Sequence, residues 1–129
     1  MNKSQEQVWN DIAEEWHEFK DEPSEGIVKF LEKREGKILD LGSGSGRFLM
    51  NIKKGKMYLV DFSKEMIKFA KEKAKNKKIN AEFFISPMYN LPFNDEFFDG
   101  AICVAALHCV EGSKNREKVV KELFRVMKK

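Results

Sequence analysis

Apolar positions along this chain follow two rhythms, one with the period of a helix and one with that of a strand. Trp9, Ile12, Ala13 and Trp16 recur at helical spacing and predict an amphipathic helix at the start. The stretch Asp21 to Ser24 breaks it. Pro23 and Ser24 then open a short second helix with Ile27, Phe30 and Leu31 on one face, ended by Arg34, Glu35 and Gly36. From there short apolar runs alternate with helical stripes. A first strand is expected over about 37–41. A helix carrying Phe48, Leu49 and Ile52 should follow to about Lys54, with Gly55 turning the chain into a second strand over 57–61. Ser63 should cap a helix that buries Met66, Ile67, Ala70 and Ala74. A third strand is expected over 81–85, then a loop with Pro87 and Pro92, and a fourth strand over about 98–105. A last helix from about Asn115 should bury Val119, Val120, Leu123, Phe124 and Met127.

Strands alternating with helices imply a mainly parallel sheet covered on both faces. The fold class is therefore α/β, a Rossmann-like three-layer αβα sandwich of about four strands. With 129 residues the chain makes one domain, a helical cap over 1–35 on a core over 36–129. Hydrophobic residues at 42% and charged residues at 35% exclude a disordered chain, and no apolar run is long enough to span a membrane. The start shows no secretory signal, and two cysteines, Cys103 and Cys109, make no disulfide framework, so a cytoplasmic protein is expected. Neither cysteine forms a metal set with His17 or His108, so no metal is expected. The lysines at 71, 73, 75, 77 and 78 admit two readings, a nucleic-acid patch or a solvated helix face. Glu65, Glu72 and Glu82 nearby, and the lack of interleaved aromatics, favour the solvated face.

Chemistry concentrates at the carboxyl ends of the strands, where open α/β sheets bind ligands. Asp40 and Leu41 lead into Gly42, Ser43, Gly44, Ser45 and Gly46, a glycine-rich turn between the first strand and the expected helix. Glycines allow close approach to a ligand, and a helix N-terminus offers free N–H groups to an anion. Asp61 ends the second strand and suits the two hydroxyls of a ribose. The spacing is G-x-G-x-G, which is neither the dinucleotide fingerprint nor a Walker loop. An acid two residues before the first glycine would repel phosphates and suits an ammonium group. A nucleoside joined to a zwitterionic amino acid meets these demands together.

These residues resemble a known family. Asp40 to Gly46 is similar to motif I of the class I S-adenosylmethionine-dependent methyltransferases, in their type 11-like branch. Val60 to Ser63 resembles the ribose-binding acidic segment, and Leu91-Pro92-Phe93 with Phe97-Phe98-Asp99 resembles the stretch leading into strand four. Glu122 to Val126 is similar to the helix that follows. Val8 to Ala13, Pro23 and Ala105 to His108 further resemble the wobble-uridine tRNA methyltransferases, which esterify a carboxymethyl group on the base.

The resemblance implies S-adenosylmethionine as cofactor and a methyl acceptor as partner, with tRNA the acceptor in the nearest group. It implies cofactor contacts from Asp40, Gly42, Ser43, Gly44, Gly46, Asp61, Phe62, the backbone of Met88, Ala105 and Trp16. His108 is the candidate base for a neutral acceptor, against the alternative of a satisfied polar residue at a strand end. Arg47 and Arg116 are candidate holders of an anionic acceptor, against the alternative of surface arginines. Two departures stand out. Pro87 replaces the acid that usually accepts from the adenine amino group, which implies weaker cofactor binding. The family's sheet has seven strands and this chain reaches Lys129 after four. The fourth strand is then expected to have an unpaired edge, open to a second copy or a partner subunit. Alternative readings are a small-molecule methyltransferase and a domain that binds cofactor or partner without turnover.

Overall fold

A computed structural model describes residues 25–104 and 113–129. The first predicted helix, Trp16, Ala105 and His108 lie outside the described residues. Helix α1 (Glu25–Glu32) precedes strands β1 (Glu35–Leu41) and β2 (Lys53–Asp61), helix α2 (Lys64–Lys77), strands β3 (Ala81–Ile85) and β4 (Gly100–Ile102), and helix α3 (Ser113–Val126). All strand pairs are parallel, in the order β3-β2-β1-β4. The order reverses at β1, so its carboxyl end and that of β4 flank the crevice in which such sheets bind ligands.

Period-two alternation builds the three layers. Leu39, Leu41, Tyr58 and Val60 face one side, where they meet Phe98 and the Val119 and Val126 positions of α3. Ile38, Met57 and Leu59 face the other, against Leu31 of α1 and Ala70 and Ala74 of α2. Because both faces are covered, the strands read as continuous apolar runs, and the buried sheet is the source of most of the fold's hydrophobic stabilisation. Helix α2 begins as the sequence predicts: Ser63 is extended and its hydroxyl accepts from Met66 N at 3.3 Å. It ends at Lys78, whose left-handed conformation lets Ile79 N donate back to Ala74 O at 2.8 Å.

Several expectations are corrected. No helix forms between Gly46 and Lys53: the backbone runs through consecutive turns, with Gly46 N donating to Ser43 O and Leu49 N to Gly46 O. Left-handed glycines at 42, 44 and 46 deny a helix its first turn, and the few residues left are too short to nucleate one. Gly55 N closes a turn on Ile52 O at 3.3 Å, as expected, but β2 already begins at Lys53 rather than at 57. The glycine lies within β2, pressed on Gly36 of β1, where the register shifts between Glu35 and Lys37. A Cβ at Gly55 would overlap the Gly36 carbonyl. Gly55→Ala is therefore expected to lower stability by about 2 kcal/mol, read as an earlier urea midpoint.

β4 is the outer strand of the described sheet, where the free edge was expected. The chain's own C-terminal residues take the approach to β4: Phe98 N donates to Val126 O at 2.9 Å, and Lys128 N to Phe98 O at 3.0 Å. Phe98 and Met127 form a parallel bridge. Of the expected buried positions on α3, Val119 is buried, while Val120 and Phe124 are exposed.

Candidate functional site

Alternation places Asp40 on the same sheet face as Ile38, and Asp61 on the same face as Met57 and Leu59. The two acids thus end neighbouring strands on one side of the sheet, and Asp40 pairs in register with Leu59. Both are buried, Asp40 at 2% and Asp61 at 6% exposure. Their surroundings differ. Asp61 Oδ2 accepts from Gly44 N and Oδ1 from Ser63 N, each at 2.9 Å. One carboxylate therefore ties the glycine turn to the cap of α2. Asp40 Oδ2 is buried with no hydrogen-bond partner among the described residues.

The electrostatics follow from this contrast. Burial, and then repulsion from Asp61, push the Asp40 carboxyl up to about 7. Burial also raises Asp61, opposed by the N–H groups of Ser63 and Gly44 that favour its ionised form. Cys103, just past β4, has its thiol raised by burial and then by Asp40, which places the Asp40 charge at the end of β4 as well.

The turn itself starts by folding over β2, with Gly42 N and Ser43 N both donating to Val60 O, at 2.8 and 3.0 Å. Ser43 is buried and Gly44 half-buried. Phe62 follows Asp61 and is half-buried. The loop after β3 joins the cluster through its backbone, because Ser86 N donates to Asp61 O at 3.0 Å. Met88 lies two residues further on, its side chain packed into the core rather than into the crevice. Arg47 is half-buried, with its guanidinium 5.2 Å from the centre of the Phe48 ring. Arg116 stands exposed in the first turn of α3, in the layer on the other face of the sheet from the carboxylates.

The structure thus brings together Asp40, Gly42, Ser43, Gly44, Gly46, Asp61 and Phe62. Sequence reading missed Ser63 as a partner of Asp61, and it missed Lys73. The amine of Lys73 is buried and donates to Gly46 O at 2.9 Å. A signal was available: position 73 falls beside Ala70 and Ala74 on the apolar stripe of α2, so it does not belong to the solvated face.

Chemically, the site joins a buried carboxylate oxygen without a partner to a second carboxylate that has acceptor capacity to spare. A bound cation would relieve the first, and vicinal hydroxyls suit the second. This donor set fits the ammonium and ribose of S-adenosylmethionine. Among the described residues no group of side chains could hold a metal ion, and no helix is long and apolar enough to cross a membrane.

Comparison with known proteins shows the family and the fold. The methyltransferase domain family matches residues 39–129. The chain is 32% identical over 105 residues to a tRNA (carboxymethyluridine(34)-5-O)-methyltransferase of Arabidopsis thaliana, a match covering 79% of this chain and 24% of that protein. It is 28% identical over 138 residues to the ubiquinone/menaquinone biosynthesis C-methyltransferase UbiE of Cronobacter sakazakii, covering 95% of this chain and 54% of that protein. The chain thus spans about a quarter to a half of the length of these curated relatives. Among solved structures, an Aquifex aeolicus SAM-dependent methyltransferase superposes with a TM-score of 0.70 at 26% identity, over 98% of this chain and 69% of that one. A Methanococcus maripaludis protein at 20% identity shares the fold, with a TM-score of 0.76 over 99% of this chain and 62% of that one.

Proposed function

The chain belongs to the methyltransferase domain family, and from that premise we propose that it is an S-adenosylmethionine-dependent methyltransferase of the cytoplasm whose acceptor is the carboxymethyl group of a tRNA wobble uridine. The observation that carries the cofactor assignment is the unpartnered, buried Oδ2 of Asp40 beside the glycine turn and Asp61. In this reading Asp40 holds the ammonium of the cofactor's amino acid and Asp61 its ribose hydroxyls. Gly42, Ser43, Gly44 and Gly46 line its approach, and Phe62, the backbone of Met88, Ala105 and Trp16 enclose the nucleoside. The acceptor assignment is supported by the 32% identity to the Arabidopsis enzyme.

The cofactor, when bound, supplies a methyl group already activated on a sulfonium. The protein's work is then to orient the acceptor and exclude water. A carboxylate acceptor is its own nucleophile and requires no general base. Arg47 and Arg116 would hold its charge or a neighbouring phosphate. For a neutral acceptor, His108 would take the proton. The match to UbiE over 95% of the chain favours a second reading, methyl transfer to a small molecule.

Calorimetry with S-adenosylhomocysteine tests the cofactor site. Asp61→Ala is expected to weaken binding by about 1–3 kcal/mol, since it removes hydrogen bonds to charge and also frees the Gly44 end of the turn. Unchanged affinity would mean that the ribose is held elsewhere. Transfer of labelled methyl to tRNA bearing carboxymethyluridine supports the tRNA reading. Transfer only to a quinone precursor supports the small-molecule reading, and binding without either transfer marks a domain that does not turn over.

A further inference from the structure

The lysines of α2 separate into two groups once the helix is built. Lys73 turns inward to Gly46 O. Lys64, Lys68, Lys71 and Lys75 are exposed, and their spacing of four, three and four residues sets them in one row along the helix, about 16 Å long. Chain order mixes the two groups, so the row emerges only from the bounds and burial of the helix. It begins beside the crevice, because Ser63 N at the cap of α2 donates to Asp61 Oδ1 at 2.9 Å.

Carboxylates do not balance this row. Elsewhere Lys56 lies 2.9 Å from Glu82, Lys128 2.9 Å from Asp99 and Lys29 3.2 Å from Glu25. The amines at 64, 68, 71 and 75 have no ion pair or hydrogen bond among the described residues. Glu82, near in sequence, pairs in register with Tyr58 on the face of the sheet away from α2. Glu65 is half-buried, which leaves Glu72 as the exposed acid flanking the row. A line of uncompensated charge on a rigid helix attracts a polyanion.

The chemistry of the row selects among polyanions. The apolar residues Met66, Ile67, Ala70 and Ala74 are buried, so α2 has no apolar face to lay into a bilayer. Protein interfaces favour arginine and aromatic anchors and are poor in lysine. The row has no exposed aromatic on which an unpaired base could stack. Ammonium groups alone suit phosphates, whose contacts fix the position of a nucleic acid without reading its sequence. We propose that Lys64, Lys68, Lys71 and Lys75 form a docking strip for the phosphate backbone of a structured RNA, leading along α2 to the crevice. The proposal rests on reading the acceptor as tRNA.

The test measures binding of unfractionated tRNA to the intact chain over a series of potassium chloride concentrations. Lys68→Gln, Lys71→Gln and Lys75→Gln combined are expected to weaken binding about tenfold or more, and to lower the slope of log affinity against log salt by about 2. Glutamine keeps the helix propensity of lysine, and affinity for S-adenosylhomocysteine should stay within about twofold. Removing the same charge from the exposed Lys114, Lys118 and Lys121 of α3 should weaken tRNA binding less than about threefold. If the first triple variant does not fold, Lys71→Gln alone should lower the slope by about 0.7. Equal losses from the two triple variants, or no loss from the first, overturn the proposal, while methyl transfer to tRNA keeps the acceptor reading standing. Binding through the row to phosphatidylserine vesicles but not to tRNA overturns it in favour of a membrane surface. A parent protein that neither binds nor methylates tRNA removes the acceptor reading and the docking strip with it.

Discussion

Replacing Asp40 with asparagine is expected to weaken S-adenosylhomocysteine binding about 100-fold while making the unliganded protein more stable at neutral pH. The two effects share one cause. The Asp40 carboxyl is buried with Oδ2 unpartnered, and its pKa stands at about 7 against an ordinary 3.8. Below pH 3.8 the group is neutral whether the chain is folded or not. Between 3.8 and 7 the unfolded chain ionises and the folded one resists, so stability falls as pH rises. Above 7 the full cost is present and stays level. At about 1.4 kcal/mol per pH unit, that cost is about 4 kcal/mol.

An amide at this position is never charged, although its own buried polar atoms lose water, so a net gain of about 2 kcal/mol is expected above pH 7. The gain should shrink as pH falls and vanish at about pH 5, where the cost of the charge no longer exceeds that of the buried amide. A cationic ligand reverses the balance in the parent protein, because it meets the ionised form. Binding at pH 7 should therefore release about half a proton, seen as a binding enthalpy that depends on the buffer. The asparagine variant should lose both the affinity and the buffer dependence. Equal affinity in the two proteins would remove the ammonium from Asp40.

Arg125→Ala is expected to cost about 3 kcal/mol of stability, read from the urea midpoint, and to loosen the loop between β3 and β4. The guanidinium holds that loop by its backbone: Nη1 donates to Phe93 O at 2.8 Å and Nη2 to Leu91 O at 3.2 Å. It is itself gripped by Glu122, with Nε to Oε1 at 2.7 Å and Nη2 to Oε2 at 2.9 Å, and by Asp95. Glu122 in turn accepts from Leu91 N at 2.7 Å. Two facing forks fixed to backbone are worth more than an isolated surface pair.

Arg125→Lys should recover less than half of the loss, since an ammonium cannot serve these diverging acceptors together. Arg125, and then the Leu91 N–H, hold the Glu122 carboxyl below its ordinary value. Its contribution is therefore present above the unfolded pKa and lost as pH falls through the folded one. The acid limb of the stability curve should flatten in Arg125→Ala. The same loop carries Ser86, which donates to the Asp61 carbonyl, so cofactor affinity should fall along with stability. An unchanged urea midpoint would show that the network is only solvated surface charge.

Much of this site was legible in the chain because its chemistry sits where local pattern is strongest. Asp40 and Asp61 each close a short continuous apolar run, Ile38-Leu39 and Met57 to Val60, and those runs mark the strands. Ser63 announces its helix by a rule confined to one turn. The sandwich class, the parallel sense and the carboxyl-end crevice follow from the alternation of these elements, as do the glycines at the first strand's end.

Other features depend on partners distant in sequence, and only the tertiary structure decided them. The helix expected after Gly46 gave way to turns, because left-handed glycines and a short connection to β2 outweighed the apolar stripe of Phe48, Leu49 and Ile52. Gly55 became a contact point with Gly36, which no local turn signal can distinguish from a bend. Lys73 turned inward because a backbone carbonyl 27 residues away needed a donor. Arg125 became the clasp of a loop some 30 residues earlier in the chain. Composition and periodicity report what each segment prefers alone. Where a buried carboxylate lacks a partner and an amine finds one is settled only when the segments pack and water leaves.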